Sequence, residues 1–184
     1  MKKLVLFIVL ATFGVAASAQ TYQGQWLAGG DLSFNSSKYP DHDATTTFVF
    51  TPNVGYFFMN NFAGGLRINF VSQSQSGSSA SSFDGGPFLR YYFLPATQKV
   101  NLFADAGAGF GSLSSTGSSS TSFNRFSIMA GPAIFLNEHV ALEAAVGYTS
   151  LGGDAYKLND KRKGDIGINV GFQIHLGSGG KSSK

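Results

Sequence analysis

Apolar side chains alternate with polar or small ones in about eight separate stretches of this chain, and no sustained 3.6-residue apolar period follows residue 20. The last stretch sets Ile166, Ile168, Val170, Phe172, Ile174 and Leu176 on one face against Gly167, Asn169, Gly171, Gln173 and His175 on the other. Val140, Leu142, Ala144, Val146 and Tyr148 oppose Ala141, Glu143, Ala145, Gly147 and Thr149 in the same way. Similar segments fall near 24–36, 46–58, 62–74, 82–94, 100–113 and 123–136. Each is long enough for the ~9–11 residues of a tilted transmembrane strand.

The connections carry further information. After the second, fourth and sixth segments the chain turns quickly, at Met59-Asn60-Asn61, Pro95 to Lys99 and Asn137-Glu138-His139. After the others it runs longer and polar, over Ser37 to Thr45, Gln73 to Ser81, Ser114 to Ser122 and Gly152 to Gly164. Short turns at one rim and long loops at the other suit an eight-stranded antiparallel up-and-down transmembrane β-barrel with its short turns in the periplasm. Two of the long loops are almost pure Ser, Gly, Gln, Ala and Thr, and they are expected to have no fold of their own.

Alternation alone does not separate this barrel from a soluble β-sandwich; the face opposite the apolar one does. It carries Asp31, Arg67, Arg90, Asp105 and Glu143 near mid-strand, together with glycines such as Gly55, Gly65, Gly86, Gly107 and Gly131. Glycine weakens a water-exposed strand, but suits the crowded interior of a small barrel. Charged residues are 12% of the chain, about half the usual ~25% of a soluble protein. The apolar face is therefore expected to meet lipid. Its aromatics form two girdles, Tyr56, Phe58, Tyr91 and Phe93 by the short turns, and Phe34, Phe48, Phe70, Phe83, Phe110, Phe126 and Tyr148 by the long loops. Pro52, Pro87 and Pro132 fall inside strands two, four and six, where a bulge at each is expected to absorb the missing N–H.

Met1 to Ala19 reads as a secretory signal peptide: Lys2 and Lys3, the apolar run Leu4 to Leu10, and Ala17-Ser18-Ala19 for cleavage after Ala19. The expected organisation is then a signal peptide over 1–19, one barrel domain over 20–176 and a polar tail over 177–184. Removing the leader leaves eleven basic against ten acidic residues, a balance that argues against a nucleic-acid partner. Absence of cysteine excludes disulfides, thiolate metal sites and a cysteine nucleophile.

The only His–carboxylate cluster is Asp41-His42-Asp43, in the first long loop. As a metal site or acid/base pair it fails on geometry. Adjacent side chains diverge, and the serine-rich loops offer no positioned nucleophile. His139 lies in a short turn and His175 at the short-turn rim, so no catalytic, metal or cofactor site is expected. The five interior charges read as an ion-pair network filling the lumen, because an eight-stranded interior is only wide enough for side chains. A selectivity filter is the alternative. Lys157, Lys161, Arg162 and Lys163 form a basic run that either meets anionic lipopolysaccharide or is simply solvated.

Several runs resemble the small OmpA-like and OmpX-like outer membrane protein β-barrel domains, especially versions common in Bacteroidetes-type bacteria. They are Thr51-Pro52-Asn53-Val54-Gly55-Tyr56-Phe57, Gly86-Pro87-Phe88-Leu89-Arg90-Tyr91-Tyr92-Phe93, Phe103-Ala104-Asp105-Ala106-Gly107-Ala108-Gly109 and Asn137-Glu138-His139-Val140-Ala141-Leu142-Glu143. The resemblance covers the whole chain after the leader and implies an outer-membrane location in a Gram-negative cell. It also implies that Asn169, Gly171, Ile174 and Leu176 mark a signal for the barrel-assembly machinery, here ending on Leu176 rather than phenylalanine and followed by Gly177 to Lys184. The expected role is structural or surface-interacting and non-enzymatic, in contact with outer-membrane lipid and lipopolysaccharide. The alternatives are a small pore, and after that a lipid hydrolase.

Overall fold

A computed structural model describes residues 21–37, 45–76, 78–117, 119–156 and 161–177. Eight strands follow one another: β1 (Trp26–Ser37), β2 (Thr45–Met59), β3 (Phe62–Gln75), β4 (Ser78–Tyr92), β5 (Val100–Ser115), β6 (Thr121–Phe135), β7 (Val140–Gly152) and β8 (Lys163–Leu176). Each pairs antiparallel with its sequence neighbours, and β1 pairs with β8 to close a barrel. Over the length of this seam, Trp26–Asp31 against Gly171–Leu176, closure satisfies backbone groups that an open sheet edge would leave bare in lipid. The expected leader, Asp41-His42-Asp43, Lys157 and the tail beyond Gly177 lie outside the described residues.

The two faces separate as the alternation requires. Leu32, Phe34, Leu66, Ile68, Leu89, Phe110, Ile128, Val146, Ile166 and Ile168 project outward and exposed. At the short-turn rim the outward rings touch one another, Trp26 with Tyr56 and then Phe58, Phe62, Tyr91 and Phe93 in series, with neighbouring centroids 4.7–6.1 Å apart. Such a belt matches the interfacial girdles of membrane barrels. Glycines let the inward faces approach closely: at Gly111 a Cβ would strike the carbonyl oxygen of Phe83, and at Gly131 that of Ala144.

Three expectations need correction. The prolines sit in no bulge. Pro52 pairs with Gly30, Pro87 with Leu66 and Pro132 with Leu102 in continuous register. On its other side each proline falls where the ladder omits two residue pairs and resumes in the same register, between β2 and β3, β4 and β5, and β6 and β7. The missing N–H thus interrupts hydrogen bonding without inserting a residue. The register shift in these ladders lies at Phe57/Met59, beside the Asn60-Asn61 turn, where Asn61 adopts φ 63°.

Gln73 to Ser81 is no loop but a hairpin tip, with Gln73 opposite Ala80, Ser74 opposite Ser79 and Gln75 opposite Ser78. Thr116 joins it from the next hairpin, its amide donating to the Ser79 carbonyl at 2.9 Å and its hydroxyl accepting from the Ser79 amide at 3.0 Å. A ladder already in register continues through backbone hydrogen bonds, whatever the side chains. The alternation of short and long connections is correspondingly less regular than the composition suggested.

The lumen is not only charged and glycine-rich. Its short-turn half holds Leu27, Phe57, Phe88, Tyr92, Phe103 and Phe135, all fully buried. In Phe57-Phe58 and Tyr91-Tyr92 one ring points in and the other out. Residues 21–25 run alongside the end of β2 and its turn. Gly24 donates to the Phe57 carbonyl at 2.8 Å, Phe57 to Gln25 at 2.9 Å, and Asn61 to Thr21 at 2.7 Å. The connection after β4 folds in as well, with Asn101 bonded to both the amide and the carbonyl of Leu94.

Candidate functional site

Arg90 on β4 and Asp105 on β5 are direct cross-strand partners, so the register alone brings them together. Arg90 donates from Nε to Asp105 Oδ2 at 3.0 Å, and from Nη1 to both Glu143 oxygens, across the barrel on β7, at 2.9 Å. Arg67 on β3 grips Asp105 with two parallel bonds of 2.8 Å. Tyr92 completes the chain, its hydroxyl donating to Glu143 Oε1 at 3.1 Å. Charges therefore alternate in the order Arg67, Asp105, Arg90, Glu143. Bidentate arginine–carboxylate geometry is the strong form of such pairing.

The network fills its layer, leaving the Arg90, Asp105 and Glu143 side chains 2%, 0% and 5% exposed. Aromatic faces pack against the guanidinium groups, with Arg67 4.7 Å from the Phe88 centroid and Arg90 4.5 Å from that of Phe103. Beneath them His175 stacks on Phe57 at 5.6 Å and approaches Phe135 at 5.2 Å and Tyr92 at 6.0 Å. His175 is thus fully buried in the lumen at the short-turn end of β8. His139 meets its backbone, with Nδ1 2.9 Å from the His175 carbonyl.

Asp31 stands apart from the other four expected lumen charges. It faces the lumen within electrostatic reach of Arg67 and Arg90, but makes no hydrogen bond or ion pair among the described residues. Sequence reasoning missed a second cluster. Asp84 on β4 binds Arg125 on β6 through contacts of 2.9–3.1 Å, and accepts from Asn69 Nδ2 at 2.8 Å. The signal was present, since Asp84 shares the inward phase of Arg90, and Arg125 that of Gly131. Tyr92 was hidden by its neighbour Tyr91, which belongs to the outward girdle.

On β8, Asn169 and Gly171 point to the lumen while Ile174 and Leu176 point outward. Gly171 lies against Asp31 and Leu176 pairs with Trp26, so these four positions sit on the strand that closes the barrel. Among the described residues no group of three His, Asp or Glu side chains is arranged to hold a metal ion. What the interior chemistry can do is hold β3, β4, β5 and β7 together by charge and fill the space between them.

Comparison with known proteins places this architecture. The crystal structure of Neisserial surface protein A superimposes with a TM-score of 0.60 at 14% identity, covering 83% of this chain and 97% of that one. The N-terminal β-barrel domain of Pseudomonas aeruginosa OprF gives a TM-score of 0.50 at 13% identity, covering 85% of this chain and all of that one. A search of curated proteins returned no match. At such identities the structures speak for the fold alone, whereas the family model described as the outer membrane protein beta-barrel domain matches residues 5–177. The chain belongs to that family and is a β-barrel of the bacterial outer membrane.

Proposed function

We propose that this protein is a non-enzymatic barrel with a structural or surface-interaction role, its lumen plugged by side chains. The observation that carries the reading is the buried ionic layer of Arg67, Asp105, Arg90 and Glu143 above an aromatic core. An eight-stranded interior is just wide enough to be filled in this way. Outer-membrane lipid and lipopolysaccharide are the partners of the exposed apolar wall. The barrel-assembly machinery is the transient partner of β8 through Asn169, Gly171, Ile174 and Leu176.

Release of a small entrapped dye from proteoliposomes tests the plug. The reading expects release no faster than from protein-free vesicles, and rapid release would promote a pore. A lipid-release assay with a His42→Ala control addresses the hydrolase alternative. Release of fatty acid by the wild type that His42→Ala abolishes would replace the structural role with an enzymatic one.

A further inference from the structure

The outward wall is not uniformly bulky. On β5 and β6 the outward positions include Ala104, Ala106 and Ala130, with Ala104 directly opposite Ala130 and Ala106 opposite Ile128. Large side chains rise on both sides, Leu89 and Tyr91 from β4 and Val146 and Tyr148 from β7. Between them runs an apolar groove of about 620 Å3. A second hollow of about 350 Å3, sharing Ala106, Ile128 and Tyr148, continues it past Phe126 to Ser150. Volumes of roughly 300–1,000 Å3 are those of small-molecule sites.

At the end of this path stands a fixed cation. Arg162 donates from Nε to Ser150 Oγ at 2.7 Å, from Nη1 to Asn124 Oδ1 at 2.6 Å and from Nη2 to the Ser150 carbonyl at 2.9 Å. Its guanidinium lies 5.1 Å from the centroid of the Phe126 ring, on the outward face of the barrel. No carboxylate pairs with it among the described residues. With a further bond from Nη2 to the Asn124 carbonyl at 3.4 Å, these contacts hold the side chain against the wall and leave one Nη1 hydrogen for another acceptor. Neighbouring Lys163 differs, since Asp165 neutralises it at 3.0 Å.

An apolar trough ending at a guanidinium that is held in place and pairs with no carboxylate among the described residues is complementary to one kind of molecule, an acyl chain carrying an anionic head. We infer that this wall binds a phosphorylated, acylated lipid of the outer leaflet, with a chain running past Phe126 along Ala106 toward Ala130 and a phosphate at Arg162. The inference deepens the lipopolysaccharide contact proposed above and rests on the Arg162 end of the barrel facing the cell exterior.

The test is native mass spectrometry of the full-length protein, purified folded in mild detergent and offered equal amounts of rough lipopolysaccharide and phosphatidylethanolamine. Wild type should retain one lipopolysaccharide in preference, and Arg162→Gln should reduce that preference about tenfold, the effect of one charge-assisted hydrogen bond. Ala106→Phe with Ala130→Phe should fill the groove and lose both lipids, while inorganic phosphate should displace neither from wild type. Heat-shifted migration checks that each variant is folded, and Ala106→Met alone serves if the double variant is not. Undiminished lipopolysaccharide preference in Arg162→Gln, unchanged retention in the filled groove, or a wild-type dimer abolished by Ala106→Phe would each overturn the assignment. None of these outcomes bears on the plug, which dye release reads independently.

Discussion

Glu143 and Asp105 both touch Arg90, but they are not equivalent partners. Asp105 also carries both bonds from Arg67, whereas Glu143 answers only to Arg90 and Tyr92. Breaking a buried pair typically costs about 3–5 kcal/mol, and removing both members can be near neutral. Arg90→Met should therefore lower the urea unfolding midpoint, and Arg90→Met with Glu143→Gln should recover much of the loss. Arg90→Met with Asp105→Asn should recover less, because it strands Arg67. Equal recovery by the two pairs, measured on refolded protein in detergent, would contradict this order. The inward position of each charge follows from two-residue alternation, so Arg67, Arg90, Asp105 and Glu143 were legible in the sequence. Their wiring was not: the bond from Arg90 to Glu143 crosses the barrel and depends on the register of every strand between.

Among the elements, the β1–β8 seam differs from the other ladders. Among the described residues it pairs Trp26–Asp31 with Gly171–Leu176 and goes no further, although both strands continue toward the opposite rim. Strand edges without partners are weak points. Hydrogen exchange should accordingly be faster over residues 163–170 of β8 than over 171–176, and uniform protection along β8 would argue against the short seam. The prolines bear on the same scale. Since Pro87 occupies a ladder gap in continuous register, Pro87→Val should shift stability by no more than the ~1 kcal/mol span of strand propensity. A bulge site would rearrange and lose more. Strand existence was legible from alternation, and strand ends were not. Serine and glycine carry no phase, so the hairpin tip at Gln73 to Ser81 gave no sign of its pairing.

For the whole molecule, closure and orientation are separate matters. Closure predicts a barrel that stays folded in detergent and migrates differently before and after boiling. Orientation predicts that a tag near Asp160 is accessible on intact cells while one near Asn60 is not; the reverse pattern would invert the barrel. The fold class was readable because eight alternating segments with apolar outward faces have few other solutions. The aromatic half of the lumen was not, because in Phe57-Phe58 and Tyr91-Tyr92 alternation cannot announce that the inward ring has company. Ionic layer and aromatic core together make the central claim, a lumen closed to ions, and single-channel recording in a planar bilayer measures it directly. Wild-type protein should give no steady conductance, and neither should Arg90→Met, whose unbranched apolar side chain still fills most of the space Arg90 occupies. A steady wild-type conductance whose ion preference changes in Arg90→Met would contradict the plug and make the same four residues the filter of a pore.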